Sequence, residues 1–182
     1  MSLKSLFTPL AFTIAAATIS LPALAHGEAP QEDFDLQALL HEARKATAEF
    51  KELNAAIGAG YAKFPDQHGD CVDQPGQGGM GVHYLRADFL DGELDPLHPE
   101  FLVYRPAQNG QFKLAALEYV VFAPVWDAAH PQPPVLFGHP MHLVRTPNRY
   151  GTEMPFYELH VWAWEHNPNG LFNDWNPTFT CL

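Results

Sequence analysis

The sequence has few basic residues, only two cysteines and, beyond its first 25 residues, no long apolar run. Lysine and arginine total 10 against 21 aspartates and glutamates, which gives a net charge of −11 at pH 7. A surface with this charge repels phosphate backbones, so the composition argues against nucleic acid as a partner. The apolar share of 47% and the charged share of 17% are typical of a folded globular chain.

Several signatures of catalysis are also missing. The sequence contains no GxSxG elbow, P-loop, CxxC pair or haem-attachment pattern, so it gives no support for serine hydrolysis, phosphoryl transfer or thiol redox chemistry. His41 and Glu42 begin the zinc-protease pattern HExxH, but Lys45 occupies the position of the second histidine. The glycines of residues 76–81 formally match GxGxxG, yet they precede a predicted strand, whereas a dinucleotide-binding loop follows one.

The N-terminal apolar stretch is typical of a secretory signal peptide. Lys4 supplies a positive charge, residues 10–21 are mainly apolar, and residues 23–25 fit a small-residue cleavage site. We therefore predict a signal peptide at residues 1–25 and a single domain at residues 26–182 that is periplasmic or secreted. We expect no membrane span after cleavage, because the apolar run is short for a crossing of ~20 residues.

Cys71 and Cys181 are the two cysteines of the chain. In the oxidising compartment that an exported protein reaches, such a pair is typical of one structural disulfide. Closing a loop of about a hundred residues would remove on the order of 4–5 kcal/mol of unfolded-state entropy. The alternative, a pair of thiolate metal ligands, has no paired cysteine spacing to support it. The disulfide predicts that the C-terminal residues lie beside the loop after the first helix.

The apolar pattern predicts the fold class. Apolar residues recur at steps of three and four from Asp33 or Asp35 to about Ala62, which predicts one long N-terminal helix. Later segments are short and apolar or alternating, as in strands, and Asn109 with Gly110 favours a hairpin between two of them. We therefore predict an α+β fold in which the long N-terminal helix packs on a twisted, mainly antiparallel sheet.

Residues 157–164 form the clearest strand in the sequence. Because side chains alternate across a strand, Glu158, His160, Trp162 and Trp164 should share one face. A carboxylate, an imidazole and two indoles suit the wall of a pocket, so Trp162 and Trp164 are candidates for binding a cofactor or another flat ligand. The alternative interpretation assigns both indoles to the core.

Glu118 is the most informative single residue. It lies within residues 114–122, which are otherwise apolar on both faces and predict a central strand covered on both sides. A carboxylate there cannot stay ionised and alone, so it must be paired, protonated or bound to a metal. If His83 and His160 meet Glu118 from neighbouring strands, the three supply ligands for zinc, copper or iron, with His142 as a fourth ligand.

Other interpretations of these residues stay open. The histidines could be hydrogen-bonded core residues, or an acid and a base that act without a metal. Glu118 could instead pair with an arginine, and the candidates are Arg86, Arg105 and Arg145. Two further arrangements suit copper: His26 would carry a free α-amine after cleavage, and residues 138–142 combine imidazole with a thioether.

Three short motifs follow one another along the chain: residues 78–84 (GGMGVHY), residues 118–121 (EYVV) and residues 159–162 (LHVW). With the order of helix, glycine loop and strands, they resemble a family of small exported bacterial proteins to which no activity is assigned. The resemblance covers most of residues 26–182 and implies secretion. Its motifs include His83, Glu118 and His160, and the resemblance assigns none of them a role.

The function predicted from these features is the binding of a metal ion or a small ligand by an exported protein. We favour a non-enzymatic binder over a hydrolase or an oxygenase, because no nucleophile or cofactor signature occurs. The alternative is an envelope structural or interaction domain without a catalytic or metal site.

Overall fold

The computed structural model describes residues 31–64, 71–107 and 109–181. The predicted signal peptide at residues 1–25 and the candidate copper ligand His26 lie outside the described residues. No described helix combines the length and the apolar character that a membrane crossing requires.

The helical part of the described chain consists of three short α-helices and two 3-10 helices. The α-helices are α1 (Gln31–Ala46), α2 (Leu53–Gly58) and α3 (Ala123–Ala129), and the 3-10 helices are Ala48–Lys51 and Ala87–Phe89. The prediction of one long N-terminal helix is therefore wrong, because the chain leaves the α-helical conformation between α1 and α2.

Thr47 accounts for the first break. Its buried hydroxyl donates a 2.7 Å hydrogen bond to the carbonyl of Ala43 and accepts one of 3.1 Å from the indole of Trp164. Bonding of a threonine back to the preceding turn bends and weakens a helix. The chain then turns Phe50 into the core, where its carbonyl accepts a 2.6 Å hydrogen bond from the Tyr104 hydroxyl. Contacts with the sheet thus outweigh the helical periodicity of this segment.

Nine strands occur in the described chain: β1 (Ala62–Lys63), β2 (Val72–Gln74), β3 (Gly78–Leu85), β4 (Phe101–Pro106), β5 (Phe112–Phe122), β6 (Val135–Leu136), β7 (His139–Pro140), β8 (His142–Val144) and β9 (Phe156–Val161). Seven form one sheet in the order β1-β3-β4-β5-β9-β8, with β2 also paired to β3, and β6 pairs with β7. All of these pairs are antiparallel. The predicted α+β fold is corrected accordingly: the structure is mainly a sheet of antiparallel strands with short helices.

The three α-helices cover one face of the sheet. Leu40 of α1 and Ala56 of α2 lie in one buried cluster with Leu102, Leu117 and Leu159 of the central strands. Full burial of each leucine contributes about 1.5–3 kcal/mol. Because side chains alternate, the neighbouring residues of these strands point to the opposite face. We call this opposite face the site face, and its members include His83, Leu85, Phe101, Glu118, Glu158 and His160.

The C-terminal segment is bound to the start of β3. The Gly79 amide donates hydrogen bonds to the carbonyls of Asn176, at 3.1 Å, and Phe179, at 2.8 Å. A Cβ atom at Gly79 would lie 2.3 Å from the Phe179 ring, so this close approach requires glycine. The predicted disulfide between Cys71 and Cys181 is present and joins positions 110 residues apart. The C-terminal segment therefore lies against the site face of the sheet.

Candidate metal centre

Three strands bring His83, Glu118 and His160 together on the site face. Each residue offers one ligand atom, and these atoms all lie within 4.8 Å of one another. Glu118 of β5 is the direct cross-strand partner of His160 of β9, so the register of this pair fixes their spacing. His83 of β3 approaches across β4, where the short side chains of Val103 and Ala116 are opposed in register. The Nε2 atom of His83 lies 3.3 Å from the Oε2 atom of Glu118.

His160 is the least satisfied of the three residues. Its side chain is 2% exposed, and neither ring nitrogen has a hydrogen-bond partner among the described residues. The ring lies 4.8 Å from that of Trp162 and 6.4 Å from that of His83, measured between centroids. Burial, with a smaller contribution from His83, holds the pKa of His160 well below its usual range. His160 is therefore a neutral imidazole with a lone pair available for a metal ion.

Glu118 is buried in a negatively charged environment. Burial raises the pKa of Glu118 well above its usual range, and the charges of Glu158 and Asp174 raise it further. Two of the arginines considered as its partners are engaged elsewhere: Arg86 pairs with Asp88, and Arg105 pairs with Glu165. Among the described residues, Glu118 instead contacts the imidazole of His83.

A second group of ligand-type side chains lies on the same face and consists of His142, Glu158 and Asp174. One candidate ligand atom from each lies within 4.8 Å of the other two. His142 of β8 is opposite Glu158 of β9 in register, and its Nε2 atom lies 2.8 Å from the Glu158 Oε1 atom. His142, predicted as a fourth ligand beside His83, thus groups with Glu158 instead. We call the two groups the first cluster (His83, Glu118, His160) and the second cluster (His142, Glu158, Asp174).

Asp174 is the member of the clusters that the sequence alone did not indicate. It lies in the C-terminal segment, outside any strand, where no periodic pattern indicates which way a side chain points. The one available signal was the Cys71–Cys181 disulfide, which ties the C-terminal segment to the sheet. The pKa of Asp174 is raised by burial and lowered in part by His142.

A cavity of about 70 Å³ adjoins both clusters. Glu118 and His83 of the first cluster and Glu158 of the second border it. Its remaining wall is largely apolar, and the residues include Phe64, Leu85, Phe101, Tyr150 and Phe156. A cavity of this size holds a few water molecules or a ligand of few non-hydrogen atoms.

The two tryptophans predicted to bind a cofactor do not border this cavity. Trp162 is buried, and its indole nitrogen donates to the carbonyl of Asn173. Because β9 ends at Val161, the alternation stops before Trp164, which packs against the helix side and carries the ammonium of Lys51 4.1 Å from its ring centroid. Trp164 borders instead a separate open groove of about 790 Å³ near Arg105.

The second copper arrangement, residues 138–142, does not form a joint site. His139 stacks on Phe172 with centroids 4.5 Å apart, and Met141 is buried in the cluster on the helix side of the sheet. Of the side chains in this segment, only that of His142 belongs to a group of ligand atoms.

No family model, curated protein or solved structure matches this chain. The resemblance to small exported bacterial proteins therefore stays a prediction.

The first cluster has the composition of a metal site. Ligand atoms that lie about 2.0–2.2 Å from one zinc ion in tetrahedral geometry are about 3.4 Å apart. The ligand atoms of the first cluster lie within 4.8 Å of one another, so their separations would have to shorten to about this value when an ion binds. Two imidazoles and one carboxylate suit zinc, copper or iron, and three protein ligands leave a position for water or another small molecule.

Proposed function

We propose that this protein binds a transition-metal ion through His83, Glu118 and His160, and that the ion is zinc, copper or iron. The observation that carries the proposal is the buried imidazole of His160, both of whose ring nitrogens lack a hydrogen-bond partner among the described residues. Leaving a buried polar group unsatisfied costs about 1–3 kcal/mol. Coordination of a metal by one of these nitrogens would recover that cost.

The charges on the site face support a bound cation. The pKa values of Glu118, Glu158 and Asp174 are all raised, in each case chiefly by burial. Among the arginines, Arg149 opposes this effect at Glu158, because its positive charge lowers the pKa of that carboxyl. A divalent cation would add positive charge beside Glu118, lower its pKa and stabilise the ionised carboxylate.

The cavity favours an ion that binds a small ligand over an ion with a purely structural role. A structural metal has all its coordination positions filled by protein, whereas this set leaves at least one position open. The cavity borders Glu118 and His83, so a ligand of few non-hydrogen atoms would have access to the ion. We favour a metal- or small-ligand-binding protein over an enzyme, because the sequence has no nucleophile or cofactor motif.

We also propose that the protein works in the periplasm or after secretion. The Cys71–Cys181 disulfide supports this location, because disulfides persist in oxidising compartments and are rare in the cytosol.

Metal analysis of the protein without a histidine tag tests the proposal. The wild-type chain and His139→Ala are loaded with Zn²⁺, Cu²⁺ or Fe²⁺, desalted and analysed by inductively coupled plasma mass spectrometry. His139 is a matched control, since its ring stacks on Phe172 outside both clusters. We expect bound metal in both proteins and at least tenfold weaker binding in His160→Ala, because a ligand has been removed.

Two results would overturn the proposal. One is a folded wild-type protein that binds none of these ions with a Kd below about 10 µM. The other is a folded His160→Ala protein with unchanged affinity. If His160→Ala does not fold, His160→Leu replaces it, because leucine fills the buried volume without an unsatisfied nitrogen.

A further inference from the structure

The second cluster adjoins the first along β9. Glu158 and His160 lie two residues apart on that strand, so their side chains share the site face at a spacing of about 7 Å. Glu118 of the first cluster and Glu158 of the second border the same cavity. The two groups of ligand atoms therefore belong to one continuous polar region rather than to separate parts of the surface.

Glu158 needs a partner that its neighbours do not supply. Its Oε1 atom lies 2.8 Å from the imidazole of His142, but its Oε2 atom is buried and has no hydrogen-bond partner in the described parts of the chain. The residue as a whole is 4% exposed, so solvent does not replace the missing partner. A buried carboxylate with one unsatisfied oxygen is costly unless a cation binds it.

Asp174 adds a third ligand from a different part of the chain. The C-terminal segment brings its carboxylate within 4.8 Å of the ligand atoms of Glu158 and His142. Two carboxylates and one imidazole that converge in this way are a ligand set used for zinc, manganese and iron.

We propose that His142, Glu158 and Asp174 bind a second divalent cation beside the first, so that the protein holds a two-metal site. The inference rests on the proposed function for the neighbouring ion, whereas the second ion has its own three ligands. Both ions would adjoin the small cavity, so a ligand that enters it would be able to contact both.

An ion pair without metal is the competing explanation. A protonated His142 would satisfy the Oε1 atom of Glu158, and Arg149 also acts on this carboxylate from the loop before β9. The guanidinium of Arg149 lies over the rings of Tyr150 and Trp175, 5.9 Å and 5.6 Å from their centroids. A protonated His142 would attract both Glu158 and Asp174, but it would leave the Oε2 atom of Glu158 without a partner in the described chain, whereas a shared cation would satisfy all three residues.

The exposure of the ligand side chains predicts which of the two ions is released first. The side chain of His142 is 50% exposed, whereas those of His83 and Glu118 are 6% and 4% exposed. The second ion would therefore exchange with solvent more readily than the first. A chelator should remove it before it removes the ion at the buried first cluster.

Native mass spectrometry of the Zn²⁺-loaded protein tests the inference. We expect two zinc ions per chain in the wild type and in His139→Ala. One ion should remain in Asp174→Asn and in His142→Ala, and His142 is half exposed, so its alanine variant should fold. In His160→Ala the ion of the second cluster should remain. Partial chelation of the wild type should give a species with one zinc ion. At the same chelator concentration, Asp174→Asn should keep its single zinc ion, because that ion lies at the first cluster.

The outcomes separate this inference from the proposed function. One ion per chain in the wild type, lost in His160→Ala and kept in Asp174→Asn, would overturn the second site and leave the first. One ion that is lost in Asp174→Asn but kept in His160→Ala would support the second cluster and overturn the first. No bound zinc in a folded wild-type protein would overturn both.

Discussion

Glu158 and His160 point to the same face of β9 but take part in different clusters, Glu158 with His142 and His160 with Glu118. Both residues are fixed by backbone pairing, since Glu158 is opposite Val120 and His160 is opposite Glu118 in the register of β5 and β9. The strand therefore sets the distance between the clusters. Any shift of β9 along β5 would move both ligands together.

His160→Leu should stabilise the metal-free protein while it removes metal binding at the first cluster. Replacing the buried imidazole removes two unsatisfied ring nitrogens and keeps most of the side-chain volume. We expect the free energy of unfolding, measured by guanidinium denaturation in the presence of a chelator, to rise by about 1–2 kcal/mol. The same comparison without chelator and with excess Zn²⁺ should favour the wild type, because the ion of the first cluster binds only that protein.

A metal-free His160→Leu protein that is less stable than wild type by 1 kcal/mol or more would contradict this expectation. Such a result would mean that the imidazole makes stabilising hydrogen bonds in solution.

Glu100 should make the stability of the protein depend on pH. Its side chain is buried and accepts a 3.0 Å hydrogen bond from the amide of Val120. Burial raises the pKa of Glu100 from its ordinary value of 4.5 to about 8, and the charges of Asp91 and Asp95 add to the increase. Because the folded-state pKa is the higher one, the stabilising contribution is fully present below pH 4.5 and is lost as the pH rises through about 8.

The variant Glu100→Gln removes this titration and keeps an oxygen that accepts the Val120 hydrogen bond. We expect the variant to retain about 2–4 kcal/mol that the wild type loses between about pH 5 and pH 9. Urea denaturation at several pH values measures the difference. The exposed residue Glu153 provides a control, and Glu153→Gln should follow the wild-type profile. Parallel profiles for Glu100→Gln and wild type would show that the Glu100 carboxyl does not titrate in this range.

Gly79→Ala should destabilise the attachment of the C-terminal segment. The new Cβ atom would lie 2.3 Å from the Phe179 ring, so either the ring or β3 must move. We expect a loss of about 1–3 kcal/mol in the free energy of unfolding, together with weaker metal binding at the second cluster, because Asp174 lies in the displaced segment. Guanidinium denaturation and zinc titration measure the two effects.

Gly58→Ala is the matched control for this substitution. A Cβ atom at Gly58 meets no atom within 4 Å, and the residue lies in α2, so alanine should be neutral or slightly stabilising there. Equal stability of the Gly79→Ala and Gly58→Ala proteins would contradict the close approach of the C-terminal segment to β3.

The sequence alone predicted the parts of the site that follow from strand geometry. The alternation of residues 157–161 correctly assigned Glu158 and His160 to one face, and the apolar neighbours of Glu118 correctly indicated a buried central strand. The Cys71–Cys181 disulfide was also predictable, because the chain has no other cysteine. These features depend on local periodicity and composition, which a single sequence contains.

The parts that were missed depend on contacts between distant residues. At the helix break, Thr47 accepts a hydrogen bond from the indole of Trp164, 117 positions later, and Trp164 leaves the strand alternation because β9 ends at Val161. The grouping of His142 with Glu158 depends on the register of β8 and β9, which the sequence does not specify. Asp174 lies in an irregular segment, where no period indicates the direction of a side chain.

The sheet is a single layer with the α-helices on one face and both ligand clusters on the other. A protein engineer could therefore alter the loops above the clusters, or graft different residues into them, while the helix-packed half keeps its contacts. Conversely, a fusion partner or surface label attached through an exposed position of α1 would lie on the opposite face of the sheet from the two clusters. Such a division makes the chain a convenient scaffold for metal sites of altered selectivity.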